Sequence, residues 1–198
     1  MTYGTILADP PWPYDTATSG HRALPTNLVK DGSRLQISVA EWTYPAMSLV
    51  DIESLPVDDL ASRDACLFLW TTNSFLREGL DVMDAWGFTY KTTITWVKTK
   101  KDDPDTPSMK QGWWFRGATE HCLFGVRGKV RRQSTTAHPT ALLLPRIRQH
   151  SRKPDELYPV IEEMCPGPYL EMFARRPREG WDSWGNQLVE SIDLEEVS

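Results

Sequence analysis

The chain cannot carry a β-ladder past residue 9. Residues 4–8 (GTILA) form a short apolar run that stops at Asp9-Pro10-Pro11-Trp12. Proline has no N–H to give to a neighbouring strand, so two in succession take the backbone out of a sheet. An apolar run of this length, bounded by such a break, reads as a strand buried on both faces. Strands of that kind need helices on each side, which points to the α/β class. The rest of the pattern agrees. Residues 65–71 (ACLFLWT) are a second continuous apolar run, 90–97 (YKTTITWV) alternate, and 121–126 and 169–174 are further strands, with one more candidate at 180–187. Helical signals fall at 48–61, as one helix or two pieces broken at Pro56, at 75–86 with a stop at Gly87, and from Pro154 to Met164. Polar loops are expected at 13–45, 99–119 and 127–140. The prediction is an α/β sandwich around a mostly parallel sheet, one domain over 1–190 followed by an acidic tail at 191–198. Strands 90–97 and 121–126 have no helix between them, which predicts one antiparallel edge hairpin.

Composition removes several classes. The 198 residues are 40% hydrophobic and 25% charged, which fits one globular domain and not a disordered chain. No stretch approaches the roughly 18 apolar residues of a membrane span, so no membrane association is expected. The N-terminus lacks the basic start and apolar stretch of a secretory signal. Cys66, Cys122 and Cys165 are odd in number and widely spaced, which fits reduced thiols and a cytoplasmic location. No CxxC pair occurs and His21, His121, His138 and His150 lack ligand spacing, so no metal site is expected. Charge is uneven. Residues 91–153 carry 14 basic and 4 acidic side chains, while both flanks are acidic. Such a band suits a polyanion, with contacts expected from Lys98, Lys100, Lys101 and Lys110 in one loop and Arg127, Lys129, Arg131 and Arg132 in the other. Of the nine tryptophans, most should be core and a few should line a cleft that stacks on planar ligands.

In open α/β sheets ligands bind at the carboxyl ends of strands. Here that end presents a carboxylate, two rigid residues and a large aromatic. The amine of a purine is a poor nucleophile because its lone pair is delocalised into the ring. Acceptors on its N–H groups draw the nitrogen towards a tetrahedral state. Asp9 can be one acceptor and the Pro10 carbonyl another, with Pro11 fixing the turn and Trp12 stacking on the base. Two later stretches add weaker signals. Glu171-Met-Phe-Ala-Arg175-Arg176 ends a strand after a Pro-Gly-Pro turn, and Lys153 lies just ahead of a helix start. No GxGxxG occurs, so the dinucleotide fingerprint is absent.

Together these stretches resemble the MT-A-seventy-type family, the S-adenosylmethionine-dependent N6-adenine methyltransferases. The shared segments are ILADPPW, YPAMS, LFLWT, AWG with TWVK, GWW with EHCLFGVRG, HSRKPDE and LEMFARRPREGWDSWGNQ, in the family's order and over nearly the whole chain. The resemblance implies a Rossmann-like methyltransferase fold, permuted so that the catalytic strand precedes the cofactor-binding strand. It implies that Asp9, Pro10, Pro11 and Trp12 hold the target amine. Asp9, Lys153, Phe173, Arg175, Asn186 and Gln187 would line the S-adenosylmethionine pocket, which releases S-adenosylhomocysteine. Tyr44, Glu120 and Lys153 match positions near the acceptor base, with Arg131 and Arg132 added from the basic band. The segment upstream of Asp9 is short and the recognition regions of larger members are absent, so target recognition is expected from the loops, a second copy or a partner subunit. The expected reaction is methylation of adenine N6 in nucleic acid, DNA ahead of RNA. A cofactor- and nucleic-acid-binding subunit that scaffolds an active partner is the alternative, and the intact Asp9–Trp12 element speaks against it.

Overall fold

The computed structural model describes residues 2–13, 46–109, 114–147, 152–186, 188 and 192. Strand β1 (Tyr3–Ala8) leads to helices α1 (Leu49–Glu53) and α2 (Val57–Leu60), strand β2 (Ala61–Thr71), a single 3-10 turn and helix α3 (Leu76–Ala85). Then come β3 (Thr89–Lys100), β4 (Asp103–Pro107), β5 (Thr119–Arg127), β6 (Ala141–Pro145), α4 (Leu157–Met164), β7 (Tyr169–Met172) and β8 (Trp181–Trp184). Local chemistry explains the breaks. Ser48 caps α1 by accepting from the Asp51 N–H, and Pro56 separates α1 from α2. Helix α3 ends where Gly87 takes φ +77°, a left-handed turn that favours glycine.

The strands form one sheet in the order β4-β3-β5-β2-β1-β7-β8, with β6 also paired to β3. Pairs β1–β2, β1–β7, β7–β8 and β3–β6 are parallel. The β3–β5 pair is antiparallel as expected. Its reversed member, however, is β5, which sits inside the sheet between β2 and β3 because β2 also binds it antiparallel. Strand β4 forms within the segment 99–119 read as a loop, and β6 in a stretch to which the sequence reading gave no element. Both are short and pair only with β3, so neither needs its own apolar face.

Alternation along each strand divides the core into two layers. Ile6, Ala8, Leu67 and Leu69 pack with α1, α2 and α3. Leu7, Phe68, Trp70, Trp96 and Cys122 pack with α4. All three cysteines are buried and free. No helix among the described residues is long and apolar enough to cross a membrane. Of the 191–198 tail only Ile192 is described, its N–H bonded to the Ser183 carbonyl.

Candidate functional site

Strands β1, β3, β6, β7 and β8 all run towards the same sheet edge, and β5 starts from it. That edge gathers the candidate residues. Asp9 follows β1 and shares the α4 face with Leu7. Its Oδ2 accepts a hydrogen bond from Lys153 Nζ at 2.6 Å. The same ammonium lies 3.7 Å from Glu120 Oε2, and Glu120 Oε1 accepts from Lys98 Nζ. Asp9, Lys153, Glu120 and Lys98 thus form a row of alternating charge across the sheet, no side chain more than 26% exposed. Two indoles support it. Lys153 Nζ lies 5.6 Å from the Trp70 ring and Lys98 Nζ 4.6 Å from that of Trp96.

Burial sets the protonation. It pushes the Asp9 carboxyl above the usual carboxylate range, and the Lys153 ammonium opposes that rise. Burial alone would lower Lys153, but Asp9 and Glu120 outweigh it and hold the ammonium above its ordinary value. Removing either partner would leave the other charge half-buried and uncompensated, which is destabilising.

A cleft opens beside this row, lined by Asp9, Trp70, Lys153, Glu171, Phe173 and Arg175 among others. Phe173 turns the chain out of β7 with φ +63°. Burial raises the carboxyl of Glu171, opposed by a hydrogen bond with the Tyr158 hydroxyl. At the rim, Asp155 accepts from Arg152, from Arg176 and from Arg178, the last at 2.7 Å. This ties the segment before α4 to the segment after β7.

Not every candidate joins the edge. Trp12 is 5% exposed, donates from Nε1 to the Trp70 carbonyl at 3.0 Å and stacks on Phe75. The indole assigned to the base is a core side chain on the α3 face, and the tryptophan that lines the cleft is Trp70. The Pro10 carbonyl accepts from the Trp12 N–H at 2.9 Å and that of Pro11 from the Met47 N–H at 3.0 Å, so both fix the turn after Asp9. Asn186 is exposed just beyond β8. Tyr44 and Gln187 lie outside the described residues.

Two readings of the basic band are corrected. Lys98 is 8% exposed and spent on Glu120, because β3 extends to Lys100 and the residue is strand, not loop. Arg131 and Arg132 are exposed but follow the far end of β5, roughly 25 Å along the strand from Glu120. Their loop is held there by Lys129 N–H on Asp64 and by Ser134 on Glu163. A hairpin puts its loop at one end of the pair and its exit at the other, so segments 99–119 and 127–140 cannot share an edge. Trp70 and Tyr158 were missed as site residues, Lys98 was expected as a phosphate contact and not as the partner of Glu120, and Glu171 was marked only by the weak signal of its strand end. The signal for Lys98 and Trp70 was the period of two, which places Lys98 on the face of Trp96.

The comparisons with known proteins follow the same residues. The MT-A70 family profile matches residues 3–187. An "N(6)-adenosine-methyltransferase MT-A70-like" protein of Arabidopsis thaliana is 32% identical over 94% of this chain and 24% of its own length. The "Type II methyltransferase M.MunI" of Mycoplasma sp is 30% identical over 96% of this chain and 79% of its own. The human "N(6)-adenosine-methyltransferase catalytic subunit METTL3" is 28% identical over 94% and 28%. The chain thus spans about a quarter of the plant and human relatives. With the profile running from the first residue of β1 to beyond β8, through Asp9, Glu120 and Lys153 alike, this chain belongs to the MT-A70 family.

Proposed function

We propose that the chain transfers a methyl group from S-adenosylmethionine to N6 of adenine in nucleic acid, DNA ahead of RNA. The observation that carries this reading is the half-buried Asp9–Lys153 pair, 144 positions apart in the chain and joined at 2.6 Å where an α/β sheet binds its ligands. The names of the relatives supply the reaction, and the compact Type II methyltransferase, of which the chain covers 79%, tilts the substrate towards DNA.

The donor set of the cleft suits S-adenosylmethionine. Arg175 and Lys153 can face its carboxylate, Glu171 its ammonium or ribose hydroxyls, and Phe173 its adenine, with Asn186 and Gln187 as candidates from the stretch that follows β8 in the sequence. The described walls enclose about 100 Å³, room for part of such a molecule. When bound, the cofactor supplies a methyl group made electrophilic by a positive sulfur. The residues of the chain act on the amine. With Oδ2 held by Lys153, Asp9 takes an amine N–H on Oδ1 and draws the nitrogen lone pair out of conjugation. The Pro10 carbonyl, which already accepts the Trp12 N–H, offers its second lone pair to the other. Lys153 keeps Asp9 ionised against its burial and Glu120 keeps Lys153 in place. The proton shed by the alkylated nitrogen passes to Asp9 Oδ1. A duplex target base has to be flipped out to reach this edge.

Target recognition is assigned to the loops at that edge together with a second copy or a partner subunit. The test is transfer of labelled methyl from S-adenosylmethionine to matched single- and double-stranded DNA and RNA, followed by nucleoside analysis. N6-methyladenine is the expected product. Cofactor binding with no transfer to any of the four would leave the scaffold reading instead.

A further inference from the structure

A second cleft lies at the same edge of the sheet, and nothing in the reaction above uses it. Its volume is about 440 Å³, within the range of ordinary small-ligand sites. Leu144, Ile147 and Pro154 give it apolar walls, and Lys101 and Arg146 give it two cations. One carboxylate, that of the exposed Glu156, also lines it. Arg146 Nη2 is buried with no hydrogen-bond partner among the described residues, and so is the hydroxyl of Thr99. The two residues are joined through the Arg146 N–H and the Thr99 carbonyl at 3.1 Å. A buried guanidinium nitrogen with nothing to donate to is costly unless a ligand completes it.

The cleft neighbours the methylation site, although no side chain lines both. Pro154 directly follows Lys153, whose ammonium holds Asp9. Leu144 is the register partner of Lys98, whose ammonium holds Glu120. A strand that places one base at Asp9 therefore carries its next sugar and phosphate towards this opening. Apolar walls suit a sugar and a base face, and a guanidinium beside an ammonium suits a phosphodiester.

We infer that this cleft holds the nucleotide next to the target adenine, with Arg146 and Lys101 on the phosphate between them. The inference rests on the methyltransferase reading above. It also replaces the Arg131 and Arg132 contacts, which lie at the wrong end of β5.

The test uses the oligonucleotide methylated best in the transfer assay, with a neutral methylphosphonate placed at each phosphate around the target in turn. Binding is measured by fluorescence anisotropy with S-adenosylhomocysteine present. Wild type is expected to lose about tenfold in affinity at one flanking phosphate. Arg146→Ala should lose a similar factor on the unmodified strand and be nearly indifferent to methylphosphonate at that position. Lys101→Gln, an exposed site where folding is not at stake, should show the same non-additivity more weakly. Each variant should flatten the salt dependence by about one counterion. Arg131→Ala with Arg132→Ala serves as the control and should leave every affinity unchanged. Additive losses at every position in both cleft variants would overturn the inference while leaving the methyltransferase intact. If no nucleic acid is methylated, the reading beneath it falls and the inference falls with it.

Discussion

Asp9 holds two roles that pull against each other, and its substitutions should separate them. Asp9→Asn keeps the shape but offers the amine a weaker acceptor and loosens Lys153. Single-turnover methyl transfer is expected to fall by about a hundredfold or more, since general-base groups of this kind contribute about 10²–10⁴. Cofactor affinity, measured by calorimetry, should stay within a few-fold. The acid limb of kcat should lie above the ordinary carboxylate range, because burial raises Asp9 and only the ionised form can take the proton shed by the amine. Lys153 opposes that rise, so Lys153→Met should move the limb to still higher pH, by about 1–3 on the pH scale. A limb that stayed in place would mean Lys153 does not govern Asp9. Trp12 tests the opposite assignment. As a core indole stacked on Phe75, Trp12→Ala should cost about 3–5 kcal/mol in urea denaturation, with Trp12→Phe costing less. A Trp12→Ala chain of unchanged stability that bound nucleic acid poorly would restore the base-stacking role.

At the level of elements, strand direction decides which charged loop meets substrate. Segment 128–140 leaves from the far end of β5, so Arg131→Ala with Arg132→Ala should leave the slope of log affinity against log salt unchanged. A flatter slope would mean that the nucleic acid wraps around to that end. Direction was also what the sequence hid. Apolar runs and proline or glycine stops marked β1, β2, α3 and β7; β1 and the end of β2 are buried on both faces, which leaves no polar alternation to confuse them. Strands β4 (DPDTP) and β6 (ALLLP) were invisible for the converse reason. Each is a short rim segment held by the backbone of β3, and its side chains carry little of the pattern. Asp9 and Lys153 stood out through their neighbours, proline on both counts. Lys98 and Trp70 did not, since a lysine or tryptophan near a strand end becomes a site residue only through the partner that faces it across the sheet. Glu120 and Trp96 are those partners, and neither is near in sequence.

For the whole molecule, the clamp on Asp155 links the lysine that holds Asp9 to the strand that flanks it. Burial pushes the Asp155 carboxyl up, but Arg176 and Arg152 more than offset this and hold it below its ordinary value. Its contribution to stability is therefore present above the unfolded carboxylate's pKa, about 3.9, and is lost as pH falls through the lower folded value. Asp155→Asn should lower Tm at neutral pH, and the gap from wild type should close in acid. A gap that persists at the lowest pH would assign the loss to shape and not to charge. The sheet order has a further consequence, in time instead of space. Strand β1 lies between β2 and β7, so it is interior to the sheet although it leaves the ribosome long before its second neighbour. At about 5–20 residues per second, the chain from Ala8 to Tyr169 takes about 8–30 s to emerge. Through that interval β1 can pair on one side only, and its other side is an apolar edge open to any passing strand. Asp9 is thus attached to an unfinished edge until β7 has been synthesised, and a nascent chain halted short of β7 leaves that apolar edge open.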